Sequence, residues 1–332
     1  MNGYERVMAT LEGRKADCVP RVPILMHFAA RYINASYGDF CRDHRVKVRA
    51  NRKLVDDFGF DQLDVMSDPW TETTAFGGEI DYLDDAVPRC SQPLENSKDL
   101  SRLERPDPAH SARMVNTLRT IAAYREIGWK TYSITGWVEG PAAEASDLRG
   151  VSRFMIDLID DAPFAREVMD LCTAVAVDFA SAQIEAGADT IGVGDAVVSQ
   201  ISPAMYERLV APFQKRLFDR IHSSGGRVRL HICGDINAHL PIIAGLGADI
   251  VDCDSMVDMA RARKILGPGV ALTGNLDPVN AVMKSTPQKI RRDLRAIYES
   301  VGDPWFVNGG CEIPAGTPPE NLRALCEPLP LL

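Results

Sequence analysis

Short apolar segments closing on glycine or a polar residue recur along the whole chain, with stretches of helical period between them. They fall at 19–25, 62–67, 130–136, 190–194, 228–233, 249–253, 270–274 and 305–308. The longest helical stretches run over 110–127, 163–186, 203–224 and 287–301, with 235–246 and 259–266 in the shorter gaps. Pro203 and Pro287 open two of them, where a missing N–H costs nothing. Strands alternating with helices pair in parallel through right-handed crossovers. Eight such units close on themselves as a (β/α)8 TIM barrel. An open doubly wound sheet is the other solution, but it carries a glycine-rich turn after its first strand. Here that turn reads LMHFAARYIN, without glycine. The expectation is an α/β chain forming one barrel domain over residues 1–332. Residues 69–109 break the pattern after the second strand and read as an insertion near the barrel mouth, with a hairpin suggested at Gly77-Gly78. Val7, Met8 and Leu11 share one side of a short N-terminal helix.

The 332 residues are 45% hydrophobic and 25% charged, enough apolar content for a sizeable core. A net charge of −9 argues against a nucleic-acid partner, which calls for a basic face. No apolar run approaches the roughly 18 residues of a membrane helix, and MNGYERVMATLEGRKADCVP has no signal-peptide core, so a cytoplasmic location is expected. Eight cysteines lie at 18, 41, 90, 172, 233, 253, 311 and 326, none in CxxC spacing. In a cytoplasmic chain they are free, catalytic or metal-bound rather than bridged. Any cysteine metal site must therefore be assembled from distant segments.

In a (β/α)8 barrel, chemistry sits at the C-terminal strand ends. Those ends carry Asp68, Glu139, Asp195, His231, Cys233, Asp252, Asp254, Asn275, Asp277 and Cys311. A single acid there serves as readily as a helix N-cap, and Asp195, Asp235 and Asp277 are plausible caps. His231 and Cys233 in RLHICGD are two apart on a strand and share a face. Taken alone, that pair reads as a core histidine beside a buried cysteine. Cys311, after a glycine pair at the last strand end, adds a third ligand type. Imidazole and thiolates favour tetrahedral zinc, and three protein ligands leave one position open, as catalytic zinc sites do. Cys253, between Asp252 and Asp254, faces the other way; Cys18, Cys41, Cys90, Cys172 and Cys326 read as packing or surface thiols. Two thiolates cancel the charge of Zn²⁺. Such an ion makes hydroxide poorly and suits holding a thiol as thiolate, or polarising a substrate oxygen so that a methyl group leaves it.

LHICGD, LTGNLDP and NGGCEIPAGTPPENLRAL together resemble the uroporphyrinogen decarboxylase superfamily and, within it, the corrinoid-dependent methyltransferase branch. The likeness runs from YERVMATLEGRKADCVPRVP to the TPPENL helix. It implies a (β/α)8 barrel, Zn²⁺ on His231, Cys233 and Cys311, and methyl transfer to or from the cobalt of a corrinoid (cobalamin). No histidine sits in the DxHxxG pattern of a corrinoid module, so a separate corrinoid protein is the implied partner. The small molecule would be an O-methyl or N-methyl donor, or a thiol acceptor, and a homodimer is compatible with this reading. Glu139 and Asp195 are the catalytic candidates; His27, Arg31, Asp68, Trp137, Asp252 and Asn275 are the candidate substrate contacts. The alternative is the parent lyase activity of tetrapyrrole biosynthesis. Two departures oppose it. The arginine-rich RQAGRY segment is represented by His27-Phe28-Ala29-Ala30-Arg31-Tyr32, without the first arginine or the glutamine, and Cys311 replaces the histidine of a GHG-like motif. A third reading, a non-catalytic metal-binding barrel, requires an acid as fourth ligand.

Overall fold

A computed structural model describes residues 1–332. Its strands are β1 (Gln62–Asp64), β2 (Ile80–Asp81), β3 (Arg89–Cys90), β4 (Ser133–Glu139), β5 (Thr190–Gly194), β6 (Arg227–His231), β7 (Ile250–Cys253), β8 (Ala271–Gly274) and β9 (Trp305–Phe306). Seven of them build one parallel sheet in the order β1-β4-β5-β6-β7-β8-β9. Helices such as Ala112–Gly128, Ala162–Ala186, Ala211–Ser223 and Pro287–Val301 form the crossovers. β4 and β5 are buried along their whole length, as parallel strands covered on both faces must be. The sheet is curled. Gln62 on β1 and Arg229 on β6 stand three strand positions apart, about 14 Å in a flat sheet. Their side chains nevertheless hydrogen-bond at 3.2 Å.

The first expected strand does not form. In VPRVPIL, Pro20 and Pro23 have no N–H to give a ladder. Only Arg21 is bridged, parallel to Val307. The segment still reaches both edges of the sheet: Val22 N–H donates to Val307 C=O at 2.9 Å, Val307 N–H to Pro20 C=O at 2.8 Å, and Asp61 N–H to Arg21 C=O at 2.9 Å. The expected eight regular strands are thus seven, with an irregular segment alongside.

Other boundaries move for local reasons. β4 begins at Ser133 rather than 130, because Lys130 turns with φ 57°, and it continues to Glu139. The helical stretch 235–246 contracts to Leu240–Ile243. The stretch 203–224 is divided into Pro203–Met205, a π turn at Tyr206–Val210, and Ala211–Ser223. Pro212 causes this: its ring displaces the carbonyl of Arg208, four residues back, and Arg166 Nη1 takes that carbonyl at 3.2 Å. Within 69–109 there is a short helix, Thr71–Ala75, followed by the β2–β3 ribbon. Gly77 and Gly78 close the helix, donating to Thr74 and Thr73 carbonyls, so the ribbon turns further on than expected.

The N-terminal helix Gly3–Leu11 packs as its pattern required. Val7 meets Val22, Ile250, Ala271 and Phe306, with Met8 and Leu11 against the same cluster. Ile250 and Ala271 open their strands, so this helix covers the N-terminal end of the sheet. The opposite end carries the polar residues. No helix is long and apolar enough to cross a membrane.

Candidate metal centre

His231 ends β6 and Cys233 follows two residues later, both on the inner face. Cys311, after β9, completes the group. His231 Nε2 lies 3.1 Å from Cys233 Sγ and 3.7 Å from Cys311 Sγ, and the two sulfurs are 3.6 Å apart. A tetrahedral zinc with Zn–S bonds of about 2.3 Å and a Zn–N bond of about 2.0 Å sets its sulfurs about 3.8 Å apart, with nitrogen and sulfur about 3.6 Å apart. These three residues are the chain's one cluster of His, Cys, Asp and Glu able to hold a metal. The donors fit the ion in type and in spacing.

The electrostatics suit a cation. The Cys233 thiol and the His231 ring lower the pKa of the Cys311 thiol against the opposing effect of burial. That of Cys233 rises through its bond to Cys311 and through burial. Burial opposes charge on His231, but Asp252 and Cys311 more than offset it and raise the ring to about 10. A metal ion replaces the protons that these three groups otherwise share.

Beneath the donors lies a buried chain that the sequence reading did not assign. His231 Nδ1 bonds Asp252 Oδ2 at 2.8 Å, which leaves Nε2 facing the sulfurs. Arg229 Nε holds both Asp252 oxygens at 2.9 and 3.0 Å. Arg229 Nη1 reaches Gln62, which also receives Thr135 Oγ1 at 3.1 Å. Burial works to raise Asp252, yet Arg229 and His231 keep it below the ordinary carboxylate range. Asp252, a candidate substrate contact, instead bonds and orients the His231 imidazole, as carboxylates behind metal-bound histidines do. The signal for Arg229 was present in RLHICGD, since Arg229, His231 and Cys233 share one parity. Asp252→Asn should weaken zinc binding by about 10–100-fold. Competition with a chromophoric chelator measures this, and an unchanged affinity would remove Asp252 from the site.

Other candidates separate into those at the mouth and those held in the frame. Asp195 has no exposed surface. Its Oδ1 accepts Ala143 N–H at 2.8 Å and its Oδ2 accepts Gln214 Nε2 at 2.7 Å. It caps the neighbouring helix Pro141–Arg149, whose N-cap Gly140 has no side chain, and not the turn that follows it. That is a positioning role in place of the catalytic one expected. Asp68 is likewise enclosed, paired with Arg113 at 2.5 and 2.7 Å and bonded by Ser67 Oγ at 2.9 Å. Asn275 Nδ2 ties the carbonyls of Asp254 and Val257. Asp68 is thus held in the frame, and Asn275 spends its amide N–H groups on the loop after β7. Asp277 caps the turn after β8, as anticipated, whereas Asp235 bonds only Asn237. Asp254 accepts Gly234 N–H at 2.9 Å beside the donors. Cys253 is fully buried on the outer face.

His27 begins the helix His27–Tyr32, stacks on Tyr37 at 4.5 Å and meets Asp85 at 2.9 Å. Its N–H donates to Glu312 Oε1 at 2.8 Å, which anchors the Cys311 loop to this helix; Glu312 was not anticipated. Arg31 is exposed beside a groove lined by Phe28, Tyr32 and residues 315–319. Trp137 and Glu139 both face inward from β4. The Trp137 and His231 ring centroids are 5.9 Å apart. Gly192 makes this arrangement possible, since a Cβ there would stand 2.0 Å from the indole.

Glu139 belongs to a crowded group of buried acids with Glu72, Glu144, Asp147 and Asp195. Burial raises all five; that of Glu139 is raised further by Asp147, Glu72 and Glu144. Arg113 near Glu72, and the Thr73 hydroxyl on Glu144, oppose this only in part. An acid whose folded pKa exceeds its unfolded value of about 4 binds protons on folding, so stability falls as pH rises past that value. The loss runs through about 6 for Asp195 and continues above it for the others. Melting temperature is expected to fall steadily from pH 5 to 8, and the Glu139→Gln/Glu144→Gln double variant should flatten the slope. A melting temperature rising over that window counts against this account.

An α/β sheet curled around an inner face, with a histidine and two cysteines converging beyond its strand ends, is a barrel-like scaffold with one candidate metal centre. Residues 2–329 match the family model "Uroporphyrinogen decarboxylase (URO-D)", and the chain belongs to that family. It is 32% identical to the methylcobamide:CoM methyltransferase MtaA of Methanosarcina barkeri over 216 residues, 64% of this chain and 62% of that one. It is 25% identical to the methylcobamide:CoM methyltransferase MtbA of Methanosarcina mazei, over 97% of this chain and 96% of that one. A uroporphyrinogen decarboxylase of Syntrophotalea carbinolica is 29% identical over 93% of each chain. Among solved structures, a methyltransferase from Methanosarcina mazei superposes with a TM-score of 0.90 at 23% identity, covering 98% of this chain and 97% of that one. The fold is therefore that of this family. Relatives of both activities place the chain among enzymes; the methyltransferases support methyl transfer, and decarboxylases of similar identity keep the lyase alternative open.

Proposed function

We propose that the protein is a zinc-dependent methyltransferase moving a methyl group between a corrinoid on a separate protein and a small molecule. The convergence of His231 Nε2 with the Cys233 and Cys311 sulfurs carries this reading. Bound there, zinc would hold a thiol as thiolate or polarise a methylated heteroatom. Asp252, held by Arg229, keeps His231 Nδ1 engaged and Nε2 toward the sulfurs, and Cys233 and Cys311 would meet the ion as thiolates. Trp137, Glu139 and His27 line the approach, and the donor set leaves a position for the reactant. The decarboxylase alternative has no evident use for two converging sulfurs. The same proposal takes residues 1–332 as one cytoplasmic (β/α)8 domain, with segment 19–25 completing the wall.

The test begins with zinc content. The protein is then incubated with a Co(I) corrinoid protein and a panel of methoxylated and N-methylated compounds, following the cobalt spectrum; the reverse assay offers methylcobalamin with a panel of thiols. Protein that binds no zinc, or that moves methyl in neither direction, refutes the proposal.

A further inference from the structure

We propose that the indole N–H of Trp137 and the carboxyl of Glu139 form a subsite for an oxygen atom of the small-molecule substrate, in the space left open by Gly194. Calling its ligand the substrate rests on the methyl-transfer reading; the subsite itself rests on geometry. Glu139 on β4 is in register with Gly194 on β5, and Gly194 with His231 on β6, so the three lie level at the mouth. A Cβ added to Gly194 would stand 3.3 Å from Trp137 Nε1 and 3.5 Å from Glu139 Oε2. Both polar atoms thus flank the bare Cα of Gly194, with no side chain of that residue between them.

Neither atom is satisfied within the chain. Trp137 is 6% exposed and its Nε1 is buried without a partner, although its backbone N–H and C=O both bond Gln183 at 2.8 Å. Buried donors in folded proteins are almost always paired, so an orphan beside a reactive centre points to a ligand. Glu139 is 8% exposed, and its carboxyl makes no hydrogen bond; its backbone N–H donates to Glu72 Oε1 at 3.0 Å. Burial among Asp147, Glu72 and Glu144 raises its carboxyl pKa well above the ordinary range, which favours the protonated form that can donate. Two converging donors select an acceptor. The arrangement matches the neutral acid and partner donor that bind a carbonyl oxygen in ketosteroid isomerase. It favours ethers, hydroxyls and phenols over ammonium groups. The 5.9 Å separation of the Trp137 and His231 rings puts such an oxygen beside the metal donors. The glycine pair in TIGVG is required for both parts: Gly192 for the indole, Gly194 for the ligand.

The full chain is labelled with ¹⁵N at its four tryptophan indoles, and Trp137 is assigned through Trp137→Phe. Phenol and methoxybenzene are titrated in, with toluene as the oxygen-free control and benzylamine as the cationic one. Phenol and methoxybenzene should move the Trp137 indole resonance downfield; toluene and benzylamine should not. Gly194→Ala fills the volume with a methyl group, and Glu139→Leu removes one donor; each should weaken phenol binding by about 10-fold or more. Glu139→Gln retains a donor without ionising and should stay within about 3-fold of the parent. Zinc content and melting temperature establish that each variant is folded, and a misfolded variant leaves the parent titration and Glu139→Gln to decide. Toluene or benzylamine acting like phenol, no probe moving the resonance, or a folded Gly194→Ala protein binding phenol unchanged overturns the subsite. No corrinoid enters this experiment. Absent methyl transfer with intact phenol binding therefore refutes the proposed reaction and not the subsite.

Discussion

Cys311→Ser protein is expected to contain less than about a tenth of a zinc ion per chain, against one expected in the parent, and to lose methyl transfer beyond detection. The three donor atoms lie within 4.8 Å of one another, and each cysteine would bind the ion as a thiolate. A serine hydroxyl at that position is neutral and a weak ligand for zinc. Changes behind a metal ligand cost about 10–100-fold in affinity, and removal of a charged ligand costs more. Cys233→Ser should behave in the same way. Cys253→Ser is the control: this cysteine ends the neighbouring strand, but its sulfur is buried on the outer face and approaches only the Val251 carbonyl, at 3.8 Å. Metal analysis after dialysis, alongside a cobalt-substitution spectrum, reads the result. Full zinc occupancy in both single cysteine variants would falsify the assignment of the donors.

The largest loss of stability is expected from Asp61→Asn. Asp61 is 2% exposed and sits at the entry to β1. Its Oδ2 accepts Arg21 N–H at 2.8 Å and Arg21 Nε at 2.9 Å, and its Oδ1 accepts Arg21 Nη2 at 2.9 Å and Arg6 Nη1. This one carboxylate joins the N-terminal helix, the proline-interrupted segment 19–25 and the first strand. Asparagine leaves the buried Arg21 guanidinium without an anion. Breaking a buried pair in this way costs about 3–5 kcal/mol. At about 2–4 °C per kcal/mol, the melting temperature should fall by roughly 6–20 °C. Asp17, the other carboxylate on Arg6, is 44% exposed on its side chain, and Asp17→Asn should cost under about 1 kcal/mol. Thermal unfolding of the two variants side by side is the measurement. Equal small shifts would mean that the Asp61 cluster does not hold the segment in place.

Much of the site was legible because strand parity is a local property. His231 and Cys233 share a face whatever the surrounding fold, and Cys311 followed a glycine pair at the end of another apolar segment. Parity also carried Arg229, since it stands two residues before His231, but its purpose needed Asp252 from the next strand. Asp195 and Asp68 misled for the same reason. Each stands at a strand end, where a catalytic acid or a substrate contact would stand, and only the neighbouring helix Pro141–Arg149 and the Arg113 side chain reveal them as pins. The missing strand has a local cause that was visible in VPRVPIL. Two prolines remove two ladder donors, and the apolar pattern of the segment had concealed that.

Alternation of apolar segments with amphipathic stretches determined by itself that the chain forms a parallel α/β sheet with crossover helices. Side-chain parity determined which residues face inward. Both follow from the fixed repeats of strand and helix, which depend only on neighbouring residues. Tertiary structure alone decided that Cys311 meets His231, that Asp252 and Arg229 stand behind the imidazole, and that Gly194 leaves two polar atoms without partners. Those outcomes depend on the curl and register of the sheet, which bring together residues that no local repeat relates.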